Sequence, residues 1–143
     1  MYVLGIDPGW KGGCALVGPA QQVTEVLSFS RMTETDIALE IKRIVQWCDV
    51  VYIEKVGAMP GNGVSSMFKF GTIYGLLRGV CLAEGAKLAE VTPLKWQTEL
   101  NCRTKGDKNV SKNRAQMLFP GLKITHGVAD ALLIAEYGVR NEN

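Results

Sequence analysis

At 143 residues, 47% of them hydrophobic and 21% charged, the chain has the size of one domain and enough apolar surface to bury a core. That excludes a disordered segment and an enzyme of two large lobes enclosing a cleft. A net charge of +2 is too small to announce a nucleic-acid partner, so any such partner has to be read from local patches.

Tyr2 to Asp7 and Gly12 to Val17 are short apolar runs separated by Asp-Pro-Gly, and Val23 to Phe29 follows a Gly-Pro turn. They predict three strands in an antiparallel meander. Thr33 opens a helix carrying Ile37, Leu39, Ile41, Ile44 and Val45 and ending near Trp47, after which Val50 to Ile53 is a continuous apolar strand that stops at Glu54. A glycine-rich loop, Gly57 to Gly63, leads to a long helix from about Val64 to Glu84, closed by Gly85. Gly71, Gly75 and Gly79 recur every fourth residue along it, each costing about 1 kcal/mol of helix propensity, so close packing on another helix or a sheet is expected there, with a dimer contact as the alternative. Its most apolar part, Gly71 to Ala83, is cut by Arg78 and is too short to span a bilayer. Ala86 to Val91 reads as a fifth strand. Thr92-Pro93 begins a short helix through Leu100, a further helix runs from Asp107 or Asn109 to Phe119, and the last runs from about Gly127 to Val139. The element order predicts one α/β domain over 1–143, a five-stranded mixed central sheet with helices on both faces.

Cys14, Cys48, Cys81 and Cys102 form no Cys-x-x-Cys pair and have no histidine at finger spacing. Reduced, mostly buried thiols in a cytoplasmic protein are expected rather than a zinc ribbon or disulfides.

Three acids stand out. Asp7 ends a strand that reads as buried on both faces; beside Pro8-Gly9 it also suits a turn. Glu54 ends the other strongly apolar strand, where glutamate has poor strand propensity and no turn role. Asp130 sits between Ala129 and Ala131 with no lysine or arginine at helical spacing, and His126, the only histidine, lies four residues before it on the same face. Carboxylates gathered without basic neighbours repel one another unless a cation neutralises them, and hard oxygen ligands select Mg²⁺, with Mn²⁺ as a substitute. Two such ions per site would polarise a phosphodiester and activate water.

Positive charge is concentrated where such a substrate needs it. From Lys87 to Lys123 there are eight basic residues against Glu90, Glu99 and Asp107. Lys95, Arg103, Lys105, Lys108, Lys112 and Arg114 are the candidate phosphate contacts. Met59, in the glycine-rich loop, and Phe68 are candidates for apolar contact with exposed bases, although core packing is the plainer expectation for Phe68 and Phe70.

The segment Gly5-Ile6-Asp7-Pro8-Gly9, then Ile53-Glu54, Met59-Pro60-Gly61, Val91-Thr92-Pro93 and Ala129-Asp130-Ala131-Leu132, in this order over nearly the whole chain, resembles the RuvC family of Holliday junction resolvases, especially its compact phage-type members. The resemblance implies an RNase H-like fold and a homodimer in the cytoplasm of a bacterium or of a phage's host. It also implies a Mg²⁺-dependent endodeoxyribonuclease, without a small-molecule cofactor, that resolves four-way or branched DNA by paired nicks leaving 5′-phosphate and 3′-hydroxyl ends. By position, Asp7, Glu54 and Asp130 match family acids; the fourth ligand falls to His126, because the usual position, three before the last acid, is Gly127 here. Lys95 and Lys108 resemble family lysines near the scissile phosphate, with Lys108 in a catalytic role. The junction-stacking aromatic of some members corresponds to Gly57, so Met59 or Phe68 would have to replace it. The rival readings are an RNase H-like nuclease with broader branched-DNA or RNA specificity and a catalytically inactive junction-binding module. An actin-like sugar kinase shares the Gly-Ile-Asp start but needs a second lobe.

Overall fold

The computed structural model describes residues 1–58 and 60–142. Strands β1 (Val3–Asp7), β2 (Gly13–Val17) and β3 (Val23–Ser28) form the expected meander. Phe29 lies just beyond β3, fully buried, with its N–H bonded to the Gly12 carbonyl at 2.9 Å. Helix α1 (Glu34–Val45) starts at a reciprocal cap, in which the Asp36 N–H donates to the Thr33 hydroxyl and the Thr33 N–H to the Asp36 carboxylate, both at 3.1 Å.

Strand β4 (Val50–Glu54) then pairs parallel to β1, and β5 (Leu88–Val91) parallel to β4, giving the five-strand order β3-β2-β1-β4-β5. Parallel neighbours need crossovers, and α1 and α2 (Val64–Ala83) provide them. The chain finishes with α3 (Pro93–Glu99), α4 (Lys108–Leu118) and α5 (His126–Glu142).

Strand alternation decides which residues meet which helices. Leu4 and Ile6 of β1, with Val51 and Ile53 of β4, face α1 and α2, where Ile37, Ile41, Ile44, Ile73 and Leu77 are fully buried. Val3, Val50 and Tyr52 face the opposite way, into a second core built with α3, α4 and α5. Helices on both faces of a mixed sheet is thus the observed arrangement. The four cysteines are free, three of them buried, and among the described residues no helix is long and apolar enough to cross a membrane.

α5 is the central element of the second face: every residue from Val128 to Val139 except the half-buried Asp130 is buried, Glu136 included. It crosses β1 at Gly5, where an added Cβ would collide with the Ala131 carbonyl and the Ala135 N–H, and Gly138 leaves similarly little room above Val3 and Tyr52.

Three expectations fail. Leu39 of α1 is 61% exposed rather than in the core, because the sheet takes the Ile37–Ile41–Ile44 face. Phe68 is 77% exposed, not packed. The glycine stripe of α2 packs against nothing among the described residues: added Cβ atoms at Gly71, Gly75 and Gly79 meet no atom within 4 Å. That helix is held instead through Ile73, Leu77 and Cys81 on its other side.

Gly5→Ala is expected to destabilise the protein by about 3 kcal/mol or more, since the obstacle is backbone that cannot turn aside. Urea denaturation measures this, and Gly75→Ala is the control: open space at that position predicts a neutral or slightly stabilising change.

Candidate active site

Asp7 is the last residue of β1 and Glu54 the last of β4, and those strands pair in parallel through Ile6–Ile53, so both carboxylates leave the sheet side by side at its carboxyl end. Asp130 arrives from the start of α5, carried there by the close crossing of that helix over β1. Asp7, His126 and Asp130 line one cleft of about 510 Å³ together with Lys11, Lys108 and Ser111. Glu54 stands on the adjoining strand and is not part of that lining.

The electrostatics tie the three acids together. Burial, then the negative charges of Asp130 and Glu54, push the Asp7 carboxyl well above its ordinary range, with Lys108 pulling weakly the other way. Burial raises Asp130 as well, against the nearby Ser111 hydroxyl and the charges of Lys108 and His126. Glu54 rises to about 7, through burial and then the charge of Asp130. Each acid is therefore unfavourable as an anion in the apo protein. Asp130 does have a basic neighbour, contrary to the reading along its own helix: Lys108 comes from α4.

One carboxylate is positioned by a residue the sequence left unmarked. The Trp96 indole N–H, fully buried on α3, donates to Oε2 of Glu54 at 2.8 Å and favours its anion. The only sequence signal for this is general, that a buried tryptophan needs an acceptor. Lys11 and Ser111 were likewise unmarked, since nothing in their local sequence separates them from ordinary surface or helix residues.

The donor set suits a hard divalent cation. Oδ1 of Asp130 is buried without a hydrogen-bond partner, as a lone pair reserved for an ion would be. Among the described residues, however, no three His, Cys, Asp or Glu side chains stand close enough to hold an ion as placed. His126 lies exposed at the first residue of α5, at the mouth of the cleft. Gly127 cannot carry an acid in this packing, because its Cβ would come within 2.9 Å of the Lys11 carbonyl.

The other candidates disperse. Lys95, Arg103 and Lys105 are exposed but outside the cleft, as is the half-buried Lys112. Arg114 donates from Nε to the Leu100 carbonyl at 2.8 Å, fastening α4 to the end of α3. Met59 lies outside the described residues.

A mixed five-stranded sheet of this order with helices on both faces is the RNase H-like fold, as RuvC has it. RuvC of Thermus thermophilus, solved in complex with a Holliday junction substrate, superposes with a TM-score of 0.75 at 18% identity, over 99% of this chain and 96% of that one. A second Thermus thermophilus RuvC structure gives 0.68 at 20% identity over 99% and 97%. The fowlpox virus resolvase in complex with Holliday junction DNA gives 0.56 at 15% identity over 97% and 99%. No protein-family model matches the sequence, and no curated protein matches it.

The raised acids give the metal-free protein a defined pH dependence. Between the ordinary glutamate pKa near 4.5 and about 7, folded Glu54 keeps a proton that the unfolded chain has lost, so stability falls as pH rises through that window, by up to roughly 3 kcal/mol. Urea denaturation in EDTA at pH 5 and pH 8 measures the drop. Trp96→Phe, which keeps the ring and removes the donor, is expected to cost more at pH 8 than at pH 5, because the lost bond favours the anion; equal costs would make Trp96 a packing residue only.

Proposed function

We propose that this chain is a Mg²⁺-dependent endodeoxyribonuclease that resolves four-way DNA junctions by paired nicks, leaving 5′-phosphate and 3′-hydroxyl ends, and that it acts as a homodimer. The observation that carries the reading is the group of three mutually destabilised acids, Asp7, Glu54 and Asp130, at the mouth of the sheet with Lys108 beside them. The likeness to junction-bound RuvC and to the fowlpox virus resolvase supports the choice of substrate.

Asp7, Glu54 and Asp130 would hold the ions, two per site, with His126 as a fourth ligand; Mn²⁺ would fit the same donors. When bound, such ions supply Lewis acidity at the phosphorus oxygens and a water acidic enough to attack at neutral pH. The protein's own contribution is placement. Trp96 holds Oε2 of Glu54 and so fixes the carboxylate plane. Lys108 and Lys11, in the cleft wall, bring positive charge to the phosphodiester without entering the donor set. The sheet and α5 fix the backbones of Asp7 and Asp130, leaving side-chain rotations to draw the ligands together.

α2 supports the dimer. Val64, Phe68, Gly71, Gly75, Gly79 and Leu82 follow one another at three- and four-residue steps and so share a helix face. The three apolar side chains there are 89%, 77% and 53% exposed and the glycines between them are open. A second copy laid on this face would bury it and set two active sites on one junction.

Purified protein in Mg²⁺ is expected to nick a mobile four-way junction at least tenfold faster than duplex of the same sequence, with Glu54→Gln abolishing nicking and retaining binding. Equal cleavage of duplex would reduce the reading to a general nuclease. Light scattering after size exclusion is expected to give a dimer, and Gly75→Arg a folded monomer; a monomeric wild type would remove the paired-nick mechanism.

A further inference from the structure

We infer that the cleft between Trp10 and Phe70 is a nucleobase subsite, which takes a base of the DNA strand next to the phosphodiester held at the acids; the inference rests on the nuclease reading. The cleft, about 450 Å³, is lined by Trp10, Ser66, Lys69 and Phe70, from the β1–β2 turn and the first turns of α2. Trp10 also lines the recess that holds Asp7, Lys11, Lys108 and Asp130. One indole therefore separates the acids from the aromatic cleft, and a strand whose phosphate lies at the acids passes a neighbouring base across it.

The two rings are held in place before any ligand arrives. The Trp10 indole N–H donates to the Lys69 carbonyl at 3.3 Å, and the ring is half-buried against the core beneath α1 and α2. Phe70 stacks on Tyr74, centroids 6.3 Å apart and planes 21° apart, and its ring edge is 3.6 Å from where a Cβ would stand on Gly9. Gly9 has φ of +128°, so glycine is required there for the turn that delivers Trp10, quite apart from the space. Fixed aromatic faces bind a base with little loss of side-chain freedom.

The chemistry of the walls selects the occupant. Among the described residues no carboxylate lines the cleft and Lys69 is its only charge, with Lys11 exposed in the adjoining recess. Aromatic faces flanked by lysines suit a base joined to phosphates, and the Ser66 hydroxyl can donate to or accept from a base edge. An acidic strand fits where an apolar peptide would leave both lysines without a partner.

The test uses the full chain and a four-way junction carrying 2-aminopurine at single successive positions around the branch point, with Ca²⁺ in place of Mg²⁺ so that binding is read without cutting. Fluorescence at one or two adjacent positions is expected to fall several-fold on binding wild-type protein. Trp10→Ala is expected to leave it at the free-junction level and to weaken binding by about 5- to 150-fold, the worth of one base–aromatic stack. Trp10→Phe, which keeps a ring, is expected to retain most of the quenching, and Trp47→Ala, which removes an exposed tryptophan outside the cleft and the dimer face, all of it. Quenching unchanged by Trp10→Ala, or lost in Trp47→Ala instead, overturns the subsite. Nicking in Mg²⁺ with no Trp10-dependent quenching at any position overturns the subsite and leaves the nuclease reading standing. Trp10-dependent quenching without nicking in Mg²⁺ supports the subsite and overturns the nuclease reading, whereas no junction binding at all overturns both.

Discussion

The approach of α5 to β1 without an intervening side chain is the constraint from which the site follows. Gly5 lies directly under the backbone of Ala131 and Ala135, and Gly127 under the Lys11 carbonyl. Small residues at these points let the helix axis come closer to the sheet than branched side chains would permit. Asp130, on the first turns of that helix, is thereby brought to the end of β1 where Asp7 emerges. A wider spacing would withdraw the third acid from the other two, and the electrostatic coupling of Asp7 to both would weaken with distance.

That coupling is costly to the apo protein, and its sign is informative. Stability alone favours separating buried carboxylates or pairing each with a base; here desolvation and mutual repulsion all raise their pKa values, while Lys108, Ser111 and Trp96 relieve only part of the penalty. The relief is arranged so that donors remain free. Trp96 occupies one oxygen of Glu54, and Oδ1 of Asp130 has no partner. A cation that bound these acids would remove the repulsion and gain the unsatisfied oxygens together.

The meander, the crossover helices and the mixed character of the sheet were legible because their signals are local. Asp-Pro-Gly and Gly-Pro mark turns, continuous apolar runs mark strands buried on both sides, and Thr33 with Asp36 marks a helix start. The acids were legible for a related reason, since Glu54 contradicts the strand it ends and Asp130 the helix it sits in. Periodicity misled where it was blind to neighbours. Leu39 and Phe68 are apolar and helical, yet the adjacent sheet takes another face of each helix. The glycines of α2 raised the expectation of close packing, but among the described residues no atom comes within 4 Å of a Cβ added there.

What the amino-acid order settled by itself was therefore the list of elements and the identity of the unusual acids, because turn geometry, strand burial and helix capping act over a few residues. Only the tertiary structure decided which distant groups meet them. Trp96 at Glu54, Lys108 at Asp130 and Trp10 beside Phe70 depend on side chains from separate elements arriving at one end of the sheet. Those meetings are set by helix crossing and sheet register, quantities that no local stretch of sequence contains.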